Sequence, residues 1–430
     1  MERVNIFLFC PLDGLLYLVV IAKELSQGKG DRAITFSEHT VLKKLLLFAF
    51  LVVSITTSAT AQQPRVRISA WYWLNSAPKT DWNHDFAEMK HMGFTDVLVC
   101  WGVDLAGIVT RKNETLEAIE EANKAGLGVY LIVWQPVANS LHRDAKYMQI
   151  TAEGKVLETF DVFNTEWRNT EWKQYLQNIA RTYRNARGFR GYVFDDSFGG
   201  SSLISYGPWE EKEFGAPLPR NSSDPRWNAW IKAREGWWQD WARDTVRFIR
   251  DLDTNSEHIL YVEDSIDSLT VPNKGERLGL DLGSALKPFD AVSGYTMSSW
   301  TNDPNSSADV VRKNGEAIET IRNIVGLDKK IVFTFWTANQ REERLPGRAQ
   351  HPTAKEIIAI CQEALRLGVT HLDMYGYRIG EFRVSRQQMA EQMPPEPEPY
   401  PITGQFPNKF MYDRPEIKEE LGKYLRSLNQ

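Results

Sequence analysis

Most of the chain alternates between short apolar runs and longer segments in which apolar residues recur at helical spacing. The short runs predict strands, and the longer periodic segments predict helices. The predicted strands are RVRISAWYW, TDVLVCW, GVYLIVW, RGYVFDD, HILYVED, FDAVSGYT, KIVFTFW and THLDMYGY. The clearest predicted helices are 81–92, 113–126, 169–186, 227–252, 307–325 and 353–367, with a final helix in RPEIKEELGKYLRSL.

The order of these elements predicts the fold class. Strands that are apolar on both faces and alternate with helices indicate a parallel sheet covered by helices. Residues 62–430 are therefore predicted to form a single α/β domain, a (β/α)8 TIM barrel with long βα loops. A doubly wound open sheet is the alternative, but it usually has a Gly-rich first turn, and the turn here is WYWLNSAPKTDW. Long inserts follow strands, on the face where barrel enzymes build their sites, at 136–168, 198–226, 265–285 and 380–414.

The first 61 residues have a different pattern. The stretch VLKKLLLFAFLVVSITTSATAQQ has two lysines, a short apolar core at 45–53 and a small-residue site ending at Ala61, which is typical of a secretory signal peptide cleaved after that residue. The core is too short to span a bilayer as a helix. The preceding residues contain GLLYLVVIA without a cleavage site, and they indicate either a mis-assigned start upstream of Val41 or a membrane anchor. We expect a secreted or periplasmic protein with no membrane contact after cleavage.

Charge and cysteine content narrow the classes of partner and cofactor. Residues 1–61 carry six basic and five acidic side chains, so their removal changes the net charge from −5 to about −6. No basic run remains, which argues against nucleic acid or anionic membrane as a partner. Cys100 and Cys361 do not form a disulfide or metal pattern, and the seven histidines show no ligand spacing. We predict no metal and no cofactor, and the oligomeric state stays open.

Two acidic residues, Asp195 and Asp196, end the fourth predicted strand in GYVFDDSFGG. In a parallel barrel the carboxyl ends of the strands converge on one rim, and successive side chains alternate between the lumen and the helix layer. Tyr192 and Phe194 share one face and, as bulky aromatic residues, suit the helix layer. Asp195 is therefore predicted to point into the lumen, and Asp196 to turn outward or to cap the following loop.

The fifth predicted strand ends in a second acidic pair, Glu263 and Asp264, and the eighth contains Asp373. Glu263 is preferred within the pair because its extra methylene group reaches further over the rim. Carboxyl groups that lie close together raise one another's pKa, so that one of them stays protonated and acts as an acid. The alternative for each residue is a helix cap or a loop hydrogen-bond acceptor. Repetition of the pattern on adjacent strands favours an acid/base constellation on one rim.

Aromatic residues stand at many of the predicted strand ends. Their rings suit surfaces that stack on sugars, while indole and phenol groups can hydrogen-bond hydroxyls. Packing against the top of the barrel is the alternative for about half of them. The residues predicted to bind a sugar at the rim are Trp73, Trp101, Trp134, Trp300 and Trp336, with Tyr295, Tyr375 and Tyr377 beside them.

With these features the chain resembles the (β/α)8 glycoside hydrolases over residues 66–428, most specifically in GYVFDDSFGG and ILYVEDS. It is similar to families with a catalytic Asp after strand four and a Glu after strand five, such as the α-amylase and endo-polygalactosaminidase types. Asp195 matches the nucleophile position and Glu263 the acid/base position. Val193 stands where the α-amylase pattern has an Arg, and the Asn-Glu pair of the β-galactosidase and cellulase clan and the chitinase DxxDxDxE pattern are absent.

The resemblance implies a secreted glycoside hydrolase that cleaves an oligo- or polysaccharide with two carboxyl groups. Asp195 would be nucleophile or general base and Glu263 the general acid, with Asp196 as a further catalytic candidate. Asp264 and Asp373 would tune pKa values or hold hydroxyls. A non-catalytic carbohydrate-binding barrel and a sugar isomerase or lyase are the alternatives. The first needs the aromatic rim but no carboxylate pair, and the scarcity of histidines at strand ends weighs against the second.

Overall fold

The computed structural model describes residues 66–102, 107–134, 144–195, 205–262, 281–296, 306–337, 352–378 and 411–429. The predicted signal peptide and upstream segment, 1–61, lie outside the described residues. No helix in the described ranges is both long enough and apolar enough to cross a membrane.

Eight of the strands close into a parallel barrel, which confirms the predicted (β/α)8 fold. The order around the barrel is β1, β2, β3, β6, β7, β8, β9 and β10, and β10 pairs with β1. The strands of the described residues are β1 (Arg67–Trp73), β2 (Asp96–Cys100), β3 (Gly128–Trp134), β4 (Met148–Ile150), β5 (Val156–Phe160), β6 (Phe189–Asp195), β7 (Glu257–Val262), β8 (Ala291–Thr296), β9 (Lys330–Trp336) and β10 (His371–Arg378).

Helices lie between successive barrel strands, as the periodic segments predict. Many of their buried side chains join one apolar core with the outward faces of the strands. The helices of the described residues are α1 (Trp82–Met92), α2 (Gly107–Thr110), α3 (Lys112–Lys124), α4 (Thr165–Trp167), α5 (Lys173–Tyr183), α6 (Pro208–Phe214), α7 (Trp227–Arg250), α8 (Leu282–Ala285), α9 (Ser306–Val325), α10 (Ala354–Arg366) and α11 (Pro415–Ser427), with a π-helical turn at Arg168–Trp172 before α5.

The insert after β3 contains structure that the sequence pattern did not predict. Its strands β4 and β5 form an antiparallel hairpin in which Met148 pairs with Phe160 and Ile150 with Val156. The turn between them includes Gly154 at φ +84, a left-handed conformation that favours glycine. The apolar runs of these two strands are too short to be distinguished from a polar loop in the sequence. A two-stranded hairpin is only marginally stable by itself, so this one depends on contacts with the rest of the molecule.

Side-chain alternation divides the barrel strands between two cores, because successive residues of a strand point to opposite faces. Tyr192 and Phe194 pack outward, against His258 and Phe289 respectively, as their size predicts. The lumen core consists of Trp71, Leu98, Cys100, Tyr130, Ile132, Val193, Ile259, Tyr261, Ala291 and Val332.

The last helix, α11, packs against α1 and α10 beside the first and last barrel strands. Gly93, at the end of α1 with φ +107, allows this close approach, since a Cβ atom there would lie 2.8 Å from the backbone nitrogen of Arg426. Lys418 of α11 also donates to Glu88 of α1 at 2.7 Å. The helix layer is therefore continuous from α10 through α11 to α1, beside the seam where β10 pairs with β1.

Candidate active site

A charged network fills the amino-terminal end of the lumen, and it consists of Arg67, Asp96, Tyr130, Glu257 and Lys330. Arg67 bonds to Glu257 at 2.7 Å and to Asp96 at 3.2 Å. Tyr130 and Lys330 both donate to Glu257. Burial opposes ionisation of Glu257, but Lys330 and the hydrogen bond from Tyr130 outweigh it and lower the pKa of this carboxyl to about 2. This lower network therefore closes one end of the barrel with compensated charge.

Asp373 lies above the lower network, in the middle of the lumen. It is 0 % exposed, and it accepts hydrogen bonds from Ser69 at 2.6 Å, Trp71 at 2.8 Å and Thr334 at 2.9 Å, and from Tyr261. Burial raises the pKa of Asp373, while these hydrogen bonds oppose the rise. The expected position of Asp373 on the rim is wrong, because the strand continues past it to Arg378.

His371 is a second buried titratable group at this level. Its Nε2 lies 2.9 Å from the Ser69 hydroxyl, which donates to Asp373, so Nε2–H donates to Ser69. Burial, together with the charge of Arg67, lowers the pKa of His371 to about 3. The imidazole is therefore neutral at physiological pH.

The carboxyl end of the lumen carries a layer that we call the mouth, formed by Trp73, Cys100, Trp134, Asp195 and Tyr375. Trp73 is in register with Cys100, and Trp134 with Asp195. Asp195 is 4 % exposed and shares the lumen face of β6 with Val193. Trp73, Trp134 and Tyr375 are half-buried. The mouth thus places a buried carboxyl group beside partly open aromatic rings.

The floor of the mouth is the Trp71 indole. Its ring lies 4.7 Å from Tyr375, 5.6 Å from Tyr261 and 6.4 Å from Trp134, in edge-to-face geometry. Asp373 fixes this ring from below through its hydrogen bond to the indole N–H. Trp71 and Tyr261 were not among the predicted site residues, although strand alternation from Trp73 and Glu263 indicates both.

Asp195 lies close enough to Cys100 in the mouth to affect ionisation of its thiol. Burial raises the pKa of the Cys100 thiol, and the carboxylate of Asp195 adds to the rise. The thiol therefore stays protonated and behaves as a small apolar group at the side of the carboxylate. Cys100 and Cys361 are both buried free thiols.

Two aromatic residues predicted at the rim face the helices instead. Trp101 is buried in the outer core, where its indole donates to Thr115 at 2.9 Å and its ring meets Trp82. Tyr377 is buried and donates to Glu88 of α1. The prediction that these rings line the mouth is wrong. Trp101 lies one position from the lumen-facing Cys100, and Tyr377 follows an irregularity in the register between β10 and β1 that interrupts the alternation of the strand.

Some of the predicted site residues, or their side chains, are not among those that the structure describes. Asp196, Glu263, Asp264 and Trp300 lie outside the described residues. Tyr295 and Trp336 belong to β8 and β9, but their side chains lie outside the described part of the chain. Within the described ranges, no group of three or more His, Cys, Asp or Glu side chains is arranged to hold a metal ion.

The indole N–H groups of Trp73 and Trp134 in the mouth are buried, and within the described residues they have no hydrogen-bond acceptor.

Outside the barrel, Arg234 of α7 and Glu210 of α6 form a buried ion pair at 3.0 Å. This pair anchors α6, in the segment after β6, to the following helix.

Comparison with known proteins adds a fold relationship. No protein-family model matches the sequence, and a comparison with curated proteins found no match. Among solved structures, a β-galactosidase from Marinomonas ef1 is similar, with a TM-score of 0.56 at 12% identity over 85% of this chain and 59% of that chain. One from Bacillus circulans sp. alkalophilus has a TM-score of 0.58 at 10% identity over 86% of this chain and 56% of that chain.

A third similar structure is the PgaB (BpsB) glycoside hydrolase domain from Bordetella bronchiseptica. Its TM-score is 0.50 at 14% identity, over 73% of this chain and 95% of that chain. The chain thus spans little more than half the length of the two β-galactosidases and covers nearly all of the PgaB domain. Together these comparisons show that the chain has the barrel fold found in glycoside hydrolases.

Proposed function

We propose that this protein is an exported glycoside hydrolase that cleaves an oligo- or polysaccharide with two carboxyl groups. The observation that carries the proposal is Asp195, a buried carboxyl group at the carboxyl end of β6 that lies in register with the half-buried Trp134. Active sites of (β/α)8 enzymes are built at this end of the barrel. The glycoside hydrolase structures with the same fold give independent support to this class of chemistry.

In the proposed mechanism Asp195 is the nucleophile or the general base. The wall beside it is apolar and the floor is aromatic, so a bound sugar would displace water and strengthen the carboxylate's action on the anomeric carbon. The second carboxyl group is Glu263, which follows β7. Ile259 and Tyr261, which stand four and two positions before Glu263 in the sequence, face the lumen.

The separation of the two carboxyl groups decides the stereochemical course. About 5–5.5 Å gives retention through a covalent intermediate, and about 6.5–9.5 Å leaves room for a water molecule and gives inversion. Asp196 and Asp264 remain candidates for orienting sugar hydroxyls or for tuning the acid. Asp373 supports the floor in this scheme and does not touch substrate, since its carboxylate is used by four donors of the barrel.

Trp73 and Trp134 would hold the sugar in the mouth. Each presents a half-buried ring for stacking, and each has an indole N–H without an acceptor among the described residues. Export is the remaining part of the proposal, and it is based on the signal-peptide pattern that ends at Ala61. Amino-terminal sequencing of protein recovered outside the cytoplasm would give Gln62 as the first residue, and an uncleaved chain would contradict it.

The central test is a screen of the wild type and of Asp195→Asn and Glu263→Gln on p-nitrophenyl glycosides and soluble polysaccharides. We expect each substitution to lower kcat by about 10³-fold or more, about 4 kcal/mol of lost transition-state stabilisation. Asp251→Asn, on an exposed carboxylate after α7, is the matched control and should keep wild-type kcat. Full turnover in both site variants would contradict the proposal. Sugar binding without hydrolysis by the wild type would favour the non-catalytic barrel.

A further inference from the structure

A second concave site lies outside the lumen, where the β4–β5 turn meets the segment that follows β6. It is a cavity of about 350 Å³, and we call it the hairpin pocket. One wall includes Ile150 and Glu153 of the hairpin, and the other includes Tyr206, Glu211 and Arg220. Its volume is at the lower end of ligand pockets, about 300–1,000 Å³, which suits one or two sugar units.

The two walls of the hairpin pocket are tied together by direct hydrogen bonds. The backbone N–H of Tyr206 donates to Ile150 at 2.7 Å, and the Ser205 hydroxyl accepts from the N–H of Ile150 at 3.3 Å. Arg220 donates to the backbone carbonyl of Ala152 in the turn. The pocket is therefore formed before any ligand arrives, so ligand binding would not have to order its walls.

The position of the hairpin pocket relates it to the mouth. Its walls belong to the connections that follow β3 and β6, which are neighbouring strands of the barrel. These strands end in Trp134 and Asp195. The pocket therefore belongs to loops at the same end of the barrel as the proposed site of cleavage.

The chemistry of the hairpin pocket favours a ligand with many hydroxyl groups. Buried Leu218 supplies an apolar floor, and the exposed Glu153, Glu211 and Arg220 supply a charged rim. Tyr206 is fixed between the guanidinium of Arg220 at 6.0 Å and the ring of Trp230 at 5.6 Å. With these neighbours at its ring, Tyr206 offers its hydroxyl more readily than a stacking face.

The balance of charge selects among sugars. Two carboxylates and one guanidinium line the rim, so its net charge is negative. A uronic acid or a sulfated sugar would bring a further negative charge close to Glu153 and Glu211, which is unfavourable. Neutral sugars meet no such repulsion, and an amino sugar gains an ion pair.

We infer that the hairpin pocket is a second carbohydrate-binding site, which holds a neutral or amino-sugar unit of a polymeric substrate away from the cleavage point. The inference rests on the proposed function and makes it narrower, because such a site benefits only substrates long enough to reach it. Binding at two connected sites raises the apparent affinity for a long chain through effective concentration. The protein would then prefer polymers to short oligomers and aryl glycosides.

The test measures binding by calorimetry in an Asp195→Asn background, so that polymers stay intact. The probes are galactan, galactomannan and glycol chitosan, with polygalacturonate as the anionic comparison. Ala152→Trp fills the cavity, and Lys155→Trp places the same side chain on an exposed hairpin position that does not line it. Glu211→Gln removes a rim charge, and Glu213→Gln on the same helix is its control.

We expect Ala152→Trp to weaken binding of at least one neutral or amino-sugar polymer by about tenfold, and Glu211→Gln to weaken glycol chitosan binding by a smaller factor. Both controls should bind like the parent, and polygalacturonate should bind weakest. Equal Kd values in pocket variants and controls, or no binding of any probe by the parent, would overturn the inference. The assay does not depend on turnover, so its failure is separate from a failure of Asp195→Asn to lower kcat.

Discussion

The two ends of the barrel lumen are built from different chemistry. At the amino-terminal end, the lower network joins Arg67, Asp96, Tyr130, Glu257 and Lys330 through ion pairs and hydrogen bonds. At the carboxyl end, the mouth has a single described carboxyl group, Asp195, among half-buried aromatic rings. Opposite charges are paired at the closed end, and a single buried carboxyl group lies among aromatic rings at the end that opens toward the loops.

This difference separates groups that stabilise the fold from groups that are available for chemistry. A buried carboxylate with several donors is held by the fold, as Glu257 and Asp373 are. A carboxyl group at a strand end beside open rings can act on a ligand. Substitutions at the two ends should therefore affect different measurements, stability at one end and sugar binding at the other.

The largest effect on stability is expected from Trp101→Ala. Trp101 is buried in the outer core and hydrogen-bonded to Thr115, so its removal leaves a large cavity and takes one hydrogen bond from the Thr115 hydroxyl. We expect a loss of about 3–5 kcal/mol in the free energy of unfolding, measured by urea denaturation. Sugar affinity of the folded fraction should not change. A loss of sugar affinity without a change in the free energy of unfolding would show that Trp101 lies in the mouth and not in the outer core.

Glu257→Gln removes the carboxylate at the centre of the lower network and should lower the free energy of unfolding. Lowering the pKa of Glu257 from 4.5 to about 2 corresponds to about 3 kcal/mol of stability at neutral pH. This contribution is present above the unfolded pKa and is lost as pH falls from about 4.5 toward 2. The difference in unfolding free energy between wild type and variant should therefore shrink over that window. A difference that is constant with pH would show that the carboxylate charge is not responsible.

His371 should make the same end sensitive to milder acid. Its folded pKa of about 3 lies below the ordinary value of 6.5. Between these two pH values His371 is protonated in the unfolded chain and neutral in the folded protein. Stability is complete above pH 6.5 and falls as pH drops toward 3, by about 2 kcal/mol at pH 5. Arg67, Asp96, Glu257 and Lys330 face this site, so the wild type is compared with His371→Gln. An equal slope of stability against pH in both proteins would exclude the histidine.

The smallest expected effect is that of Trp134→Ala on binding. Its half-buried ring faces the mouth, so we expect about a tenfold weaker Kd for the polymer that binds best, about 1.4 kcal/mol. The melting temperature should move less than in Trp101→Ala. If Trp134→Ala changes mainly Kd and Trp101→Ala mainly the melting temperature, the mouth and the outer core have different roles. The same changes in both variants would contradict that difference.

The sequence predicted the barrel well because each barrel strand is an apolar run between turn residues, which is a local signal. It also gave the direction of Asp195, since two bulky neighbours, Tyr192 and Phe194, share the opposite face. Trp101 was misplaced because DVLVC is apolar on both faces and offers no contrast from which to count. Asp373 was placed too high because its donors come from three other strands, which no local pattern records.

Closure of the barrel depends on residues from opposite ends of the domain. Ser69 of β1 contacts His371 of β10, although 302 positions separate them in the chain. While the polypeptide is being made, one side of β1 therefore has no strand to pair with, and such an open edge invites association with other chains. A fragment that stops before β10 keeps this hazard permanently. Shortened versions of the protein should therefore retain everything from β1 through α11, because the first strand is completed only by the last.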